Sequence, residues 1–121
     1  AVVRCVMESL AMKYRMAVEE LENIVGHKLN VIHVVGGGCK NIMLNQFSAN
    51  ATCKPVITGP VEATATGNLI CQLIASGELA NIKEGRDLVR RSFVMNEYMP
   101  QDTDRWNEAY DRFLKIVKES L

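Results

Sequence analysis

Apolar residues recur along the start of the chain at steps of three and four: Val3, Val6, Leu10, Tyr14, Ala17, Leu21 and Ile24. Arg4, Glu8, Arg15, Glu19, Glu22 and Asn23 fall largely off that stripe. The period is that of an amphipathic helix over residues 2–25. Gly26 is placed to end it, and His27 and Lys28 suit the negative end of its dipole. The pattern then changes. Val31-Ile32-His33-Val34-Val35 is a continuous, mostly β-branched run, which predicts a short strand buried on both faces. His33 within it reads as a satisfied or partly exposed strand residue rather than a catalytic one. After three glycines the helical period returns over 41–52, with Asn41 able to cap and Leu44, Phe47 and Ala51 forming an apolar face.

A second strand is predicted at Pro55-Val56-Ile57-Thr58, with proline tolerated at its first position. Gly59-Pro60 breaks the chain, and a third helix follows over 61–76, ended by Gly77. The first half of that helix is almost entirely small residues, which suggests a close approach by another backbone or by a ligand. Residues 84–92 are expected to form one or two helical turns, and Phe93–Met99 to be extended or irregular. The C-terminal segment, 101–121, predicts a last helix capped by Asp102 or Thr103. Its stripe is Trp106, Ala109, Tyr110, Phe113, Ile116 and Val117, a core-packing face.

The two strands flank a helix, so they are expected to run parallel through a right-handed crossover. Parallel strands this apolar belong in a sheet covered on both faces, and two strands alone do not make a stable sheet. Residues 1–121 therefore read as an incomplete part of a larger α/β domain. The opening Ala1-Val2-Val3-Arg4, already inside a helical pattern, agrees with a piece of a longer protein.

Composition narrows the function classes. Lys plus Arg and Asp plus Glu each number 14, so the formal charge is zero. No face is forced to be basic, which argues against a non-specific nucleic-acid binder and against a protein held on anionic lipid by charge. No apolar run reaches the roughly 20 residues needed to span a membrane, and no signal-peptide pattern opens the chain. Cys5, Cys39, Cys53 and Cys71 are too widely spaced for a zinc site, and His27 and His33 are not placed to help. They read as reduced, mostly buried thiols of a cytoplasmic protein. A reactive thiol at Cys39, near a helix start, is the alternative.

Gly36-Gly37-Gly38, between a strand and a helix, is the candidate site. Such a turn lets a phosphate or nucleotide approach bare backbone. It is not a dinucleotide fingerprint, because position 41 is Asn, nor a Walker A loop, which needs Gly-Lys-Ser/Thr. On spacing alone a tight turn with no ligand serves equally well. Lys40 could reach a phosphate or be a solvated helix-start lysine. Glu62 is accounted for by the positive end of its helix, and Glu8 by solvation or a neighbouring charge. No catalytic constellation is legible, so a general base would have to come from elsewhere.

Several segments together carry a resemblance. Glu8-Ser9-Leu10-Ala11, Lys13-Tyr14-Arg15, Gly36-Gly37-Gly38-Cys39-Lys40-Asn41, Leu44-Asn45-Gln46 and the run from Pro55 to Asn68 are similar to the FGGY family of carbohydrate kinases. The similarity is good over about 1–95 and looser in the final helix. It implies an α/β fold of two actin-like (ribonuclease H-like) lobes with short parallel strands and flanking helices. This chain would be the C-terminal part of the second lobe, on the nucleotide side of the cleft. ATP or ADP would bind with Mg2+ held mainly by the nucleotide and the other lobe.

The resemblance assigns Gly37 to nucleotide contact with Gly36 and Gly38 as its flanks, and Asn41 and Asn45 to the adenine or ribose edge. It places the catalytic aspartate and most sugar contacts upstream, so the piece alone is expected to be inactive. Gly-Pro-Val-Glu-Ala-Thr-Ala-x-Gly-Asn at 59–68 is most similar to family members that phosphorylate the 1-hydroxyl of L-rhamnulose. Kinases of L-fuculose or xylulose are the alternatives, as is a non-catalytic binding module of the same fold. Where some relatives carry cysteines in the helix after the glycines, this chain has Ser48 and Thr52, so no disulfide is carried over.

Overall fold

In the computed structural model, residues 1–120 are described. The elements are α1 (Val2–Val25), β1 (Ile32–Val34), a 3-10 turn (Gly36–Lys40), α2 (Ile42–Thr52), β2 (Val56–Thr58), α3 (Ala63–Ala75), α4 (Ile82–Ser92), β3 (Asn96–Tyr98) and α5 (Thr103–Ser120). The last residue of the predicted 101–121 segment lies outside the described residues. The chain divides into two compact units. One comprises 1–32, 42–56 and the chain from Tyr98 onwards; the other comprises 33–41 and 57–97.

The first unit is helical. Gly26 ends α1 in the left-handed region, φ 81°, and donates its N–H to the Glu22 carbonyl. Ala11 and Met12 of α1, Ala51 of α2, and Trp106 and Tyr110 of α5 form the core, with Met16, Phe47, Ala109 and Phe113 packed around them. Ala11, Ala49 and Ala51 are fully buried, small side chains that suit close helix packing. Phe47 and Trp106 meet with ring centroids 5.2 Å apart.

The face of α1 that packs is not its apolar stripe. Val3, Val6, Leu10, Tyr14, Leu21 and Ile24 are exposed, Ile24 at 79%. The packed face instead carries alanine, methionine and charge. Arg15 Nη1 donates to the Ala51 carbonyl at 3.2 Å and to Asn107 Oδ1 at 2.6 Å. Its guanidinium carbon lies 4.0 Å from the centre of the Tyr110 ring. The Tyr110 hydroxyl donates to Glu19 Oε2 at 2.6 Å, and burial together with that carboxylate pushes the phenol pKa up. Near the end of the helix, Glu22 is buried between Lys54 Nζ at 2.9 Å and Lys28 Nζ at 3.3 Å. The hydrogen bond from Lys54 holds the Glu22 carboxyl below the usual carboxylate range, outweighing desolvation.

The strands form one sheet in the order β1-β2-β3. Ile32 N–H donates to the Pro55 carbonyl at 3.0 Å and Gly59 N–H to the Val34 carbonyl at 2.9 Å. Residue numbers rise together along this pair, so β1 and β2 are parallel, as their flanking of a helix predicts. One expectation is refined and one corrected. Within 93–99, expected to be extended or irregular, Asn96–Tyr98 pair as a third strand, β3. And β1 is not buried on both faces: His33 is exposed and Ile32 and Val34 are half-buried, whereas in β2 Val56 and Thr58 are fully buried. The physical reason is position, since β1 is at one edge of the sheet and β2 is central.

In the second unit α4 runs eleven residues, longer than the one or two turns its polar sequence suggested. Asn81 Oδ1 accepts from Glu84 N–H, and Glu84 Oε2 accepts from Ala80 N–H, a reciprocal cap that supports the helix start. Gly85 lets α4 close on α3: a β-carbon there would lie 2.5 Å from Ile70 Cγ2. The small residues that begin α3 meet no such neighbour. Thr64, Ala65 and Gly67 are exposed, and a β-carbon on Gly67 would meet nothing within 4 Å among the described residues.

Candidate functional site

The glycine turn is built from the end of β1. Val35 is extended, and Gly36 then takes φ +78°, a conformation that side chains with a β-carbon rarely adopt. Gly36 N–H donates to the Pro60 carbonyl at 3.3 Å, which ties the turn to the corner after β2. Gly36–Lys40 coil into a 3-10 turn, closed at its far end by Asn41 N–H donating to the Gly38 carbonyl at 3.2 Å. The helical pattern expected directly after the glycines thus begins within them.

The three glycines sit in three different surroundings. Gly36 needs its positive φ. A β-carbon on Gly38 would sit in van der Waals contact with Val34 Cγ1, at 3.4 Å, so Gly38 lies directly against β1. A β-carbon on Gly37 would meet nothing within 4 Å among the described residues. Gly37 therefore offers an uncovered stretch of backbone on a turn whose two flanks are fixed, which is geometry that admits a flat or anionic ligand.

The other predicted residues are placed as follows. Asn41 follows the turn directly and is half-buried, and Lys40 is exposed. Asn45 is on α2, in the other unit, and is only 3% exposed. So the structure gathers Gly36, Gly37, Gly38 and Asn41 in one unit, with Asn45 in the helical one. Cys39, which reads from sequence as an inert buried thiol, has a definite place. It is buried, and its Sγ donates to the Val34 carbonyl at 3.1 Å. Cysteine spacing could not have shown this, because the bond depends on the turn's curvature.

Among the described residues no group of three or more His, Cys, Asp or Glu side chains could hold a metal ion. No helix among them is long and apolar enough to cross a membrane.

Residues 1–76 match the sequence profile of the FGGY family of carbohydrate kinases, C-terminal domain. The chain belongs to this family. It is 43% identical over 117 residues to a protein from Bacteroides thetaiotaomicron named rhamnulokinase, and 46% identical over 117 residues to one of the same name from Bacillus subtilis. Each alignment covers 97% of this chain and 24% of the relative, so the chain spans about a quarter of the length of these relatives. A crystal structure of Plasmodium falciparum glycerol kinase with ADP superposes with a TM-score of 0.81 at 21% identity, over 98% of this chain and 24% of that one. The α/β, actin-like lobe expected from the FGGY resemblance is therefore the fold observed. The family match ends at residue 76, directly after α3, while the similarity to the rhamnulokinases continues beyond it.

Proposed function

We propose that this chain is the C-terminal, nucleotide-side part of a kinase that transfers the γ-phosphate of ATP to the 1-hydroxyl of L-rhamnulose. The observation that carries the reading is the uncovered Gly37 backbone between two fixed flanks, in a chain whose relatives at 42–46% identity bear the name rhamnulokinase. In this reading the adenosine and α-phosphate side of the nucleotide lies against Gly37, with Asn41 toward its adenine or ribose edge.

Phosphoryl transfer of this kind is mostly positioning and charge neutralisation. This chain contributes positioning. Its Gly36–Gly38 backbone holds the nucleotide, and closure of the two lobes excludes water. Mg2+ would arrive with the nucleotide and be held by it and by the other lobe. The aspartate that takes the sugar hydroxyl's proton lies upstream, so the isolated chain is inactive. The setting is cytoplasmic, where ATP and a free ketose meet.

The test is ATP-dependent phosphorylation of L-rhamnulose, L-fuculose and D-xylulose by the full-length protein. Preferential turnover of L-rhamnulose is expected. Preference for another ketose would replace the substrate but keep the reaction. No turnover of any sugar, with ATP bound, would point to a non-catalytic binding module and overturn the proposal.

A further inference from the structure

We propose that Cys39 is a positioning residue for the nucleotide, acting through the shape of the glycine turn. The inference rests on the reading of Gly37 as a nucleotide contact. Three consecutive glycines are the most flexible backbone a chain can contain, and an ordered turn of them needs external restraint. At its near end the turn is tied by Gly36 N–H to the Pro60 carbonyl, at 3.3 Å. At its far end, the Cys39 thiol reaches back five residues to the Val34 carbonyl at 3.1 Å.

The same Val34 oxygen accepts from Gly59 N–H at 2.9 Å, one of the bonds that pair β1 with β2. One carbonyl therefore anchors both the sheet and the turn. The thiol translates the fixed position of β1 into a fixed curvature at Gly37, the one glycine of the three with open space above it. Cys39 is 8% exposed, which suits a tether rather than a reactive thiol. Serine can donate to the same oxygen with a shorter reach, whereas alanine cannot donate at all.

The test uses the full-length protein and its Cys39→Ala, Cys39→Ser and Gly37→Val variants, with ATP affinity, the KM for each substrate and the thermal midpoint measured for each. If losing the tie leaves the binding-competent turn populated about one fifth of the time, the apparent Kd for ATP rises about fivefold. The expected result for Cys39→Ala is that rise, in Kd and KM for ATP, with the sugar KM unchanged. Cys39→Ser should recover most of the affinity.

Weaker ATP binding in Gly37→Val with wild-type affinity in Cys39→Ala would overturn the role of Cys39 and leave the nucleotide reading intact. Wild-type affinity in both would overturn the two together. Equal losses in the Ala and Ser variants would mean that the thiol matters only for packing, which also overturns the proposal. Should Cys39→Ala not fold, Cys39→Val, which fills the space but cannot donate, takes its place beside Cys39→Ser. Weaker ATP binding in Cys39→Val with near wild-type affinity in Cys39→Ser supports the tether, and equal affinities in the two refute it.

Discussion

Gly36, Gly37 and Gly38 are the same residue three times, yet a substitution would have a different effect at each. At Gly36 a side chain is strained by φ +78°, and at Gly38 it comes into van der Waals contact with Val34. At Gly37 a β-carbon meets nothing within 4 Å among the described residues, so Gly37→Val should leave the fold nearly as stable as before. If the nucleotide lies there, the branched side chain occupies its place. We expect ATP affinity to fall at least about tenfold, or ~1.4 kcal/mol. Calorimetric titration of the full-length variant with ATP, beside a thermal melt, separates the two effects. An unchanged Kd would remove Gly37 from the site, and a large drop in melting temperature would mean the loss was structural. The glycines themselves were visible in sequence because they interrupt an apolar run. Their division of labour was not, since it depends on φ and on which side chain of β1 lies beneath each. The Cys39 bond escaped notice for the same reason.

At the level of elements, period was a good guide to where helices lie and a poor guide to which face they pack. The limits of α1 follow from its spacing and from Gly26, but its stripe of Val3, Val6, Leu21 and Ile24 faces away from the core formed around Ala11 and Met12. Small alanines and the half-buried Arg15 define much of the packed face, and neither registers as hydrophobic pattern. The strand β3, Asn96-Glu97-Tyr98, was illegible because it is three residues long, polar and mostly exposed. The Asn81-x-x-Glu84 pair was a readable sign that α4 is longer than its polar composition suggested.

The charged face of α1 also sets a pH dependence. The Glu22 carboxyl, held by Lys54 and then by the Lys28 ion pair, has a folded pKa below its ordinary value of 4.5. The folded state therefore binds that proton less readily than the unfolded state. The stability this contributes is fully present above about pH 4.5 and is lost as pH falls through the folded pKa. Denaturation midpoints of wild type and Glu22→Gln, followed from neutral pH into acid, should lie well apart at pH 7 and converge below the carboxylate range. A gap that stays constant with pH would show that Lys54 and Lys28 do not stabilise the charged form.

At the scale of the whole molecule, the exposed stripe of α1 is the feature the chain does not resolve by itself. Val2 is 78% exposed, Ile24 79%, and Val3, Val6, Leu21 and Val25 are each about half exposed or more, all on one helix of 24 residues. A row of apolar side chains that long, left in water, favours association. The edge strand β1 adds unpaired backbone groups to the same tendency. The chain spans 24% of the length of the relatives it matches, so in a protein of their size other segments are available to cover this stripe. The expected behaviour of the isolated 121 residues is therefore concentration-dependent self-association in light scattering. Replacing Val3, Val6, Leu21 and Ile24 by Lys or Gln keeps good helix formers in α1 and touches none of its packed core. That variant should be monomeric as an isolated chain, yet the same four substitutions in the full-length protein should lower its melting temperature if other segments cover the stripe there. A clean monomer of the unmodified isolated chain, or a full-length variant as stable as wild type, would show that the stripe is merely solvated surface.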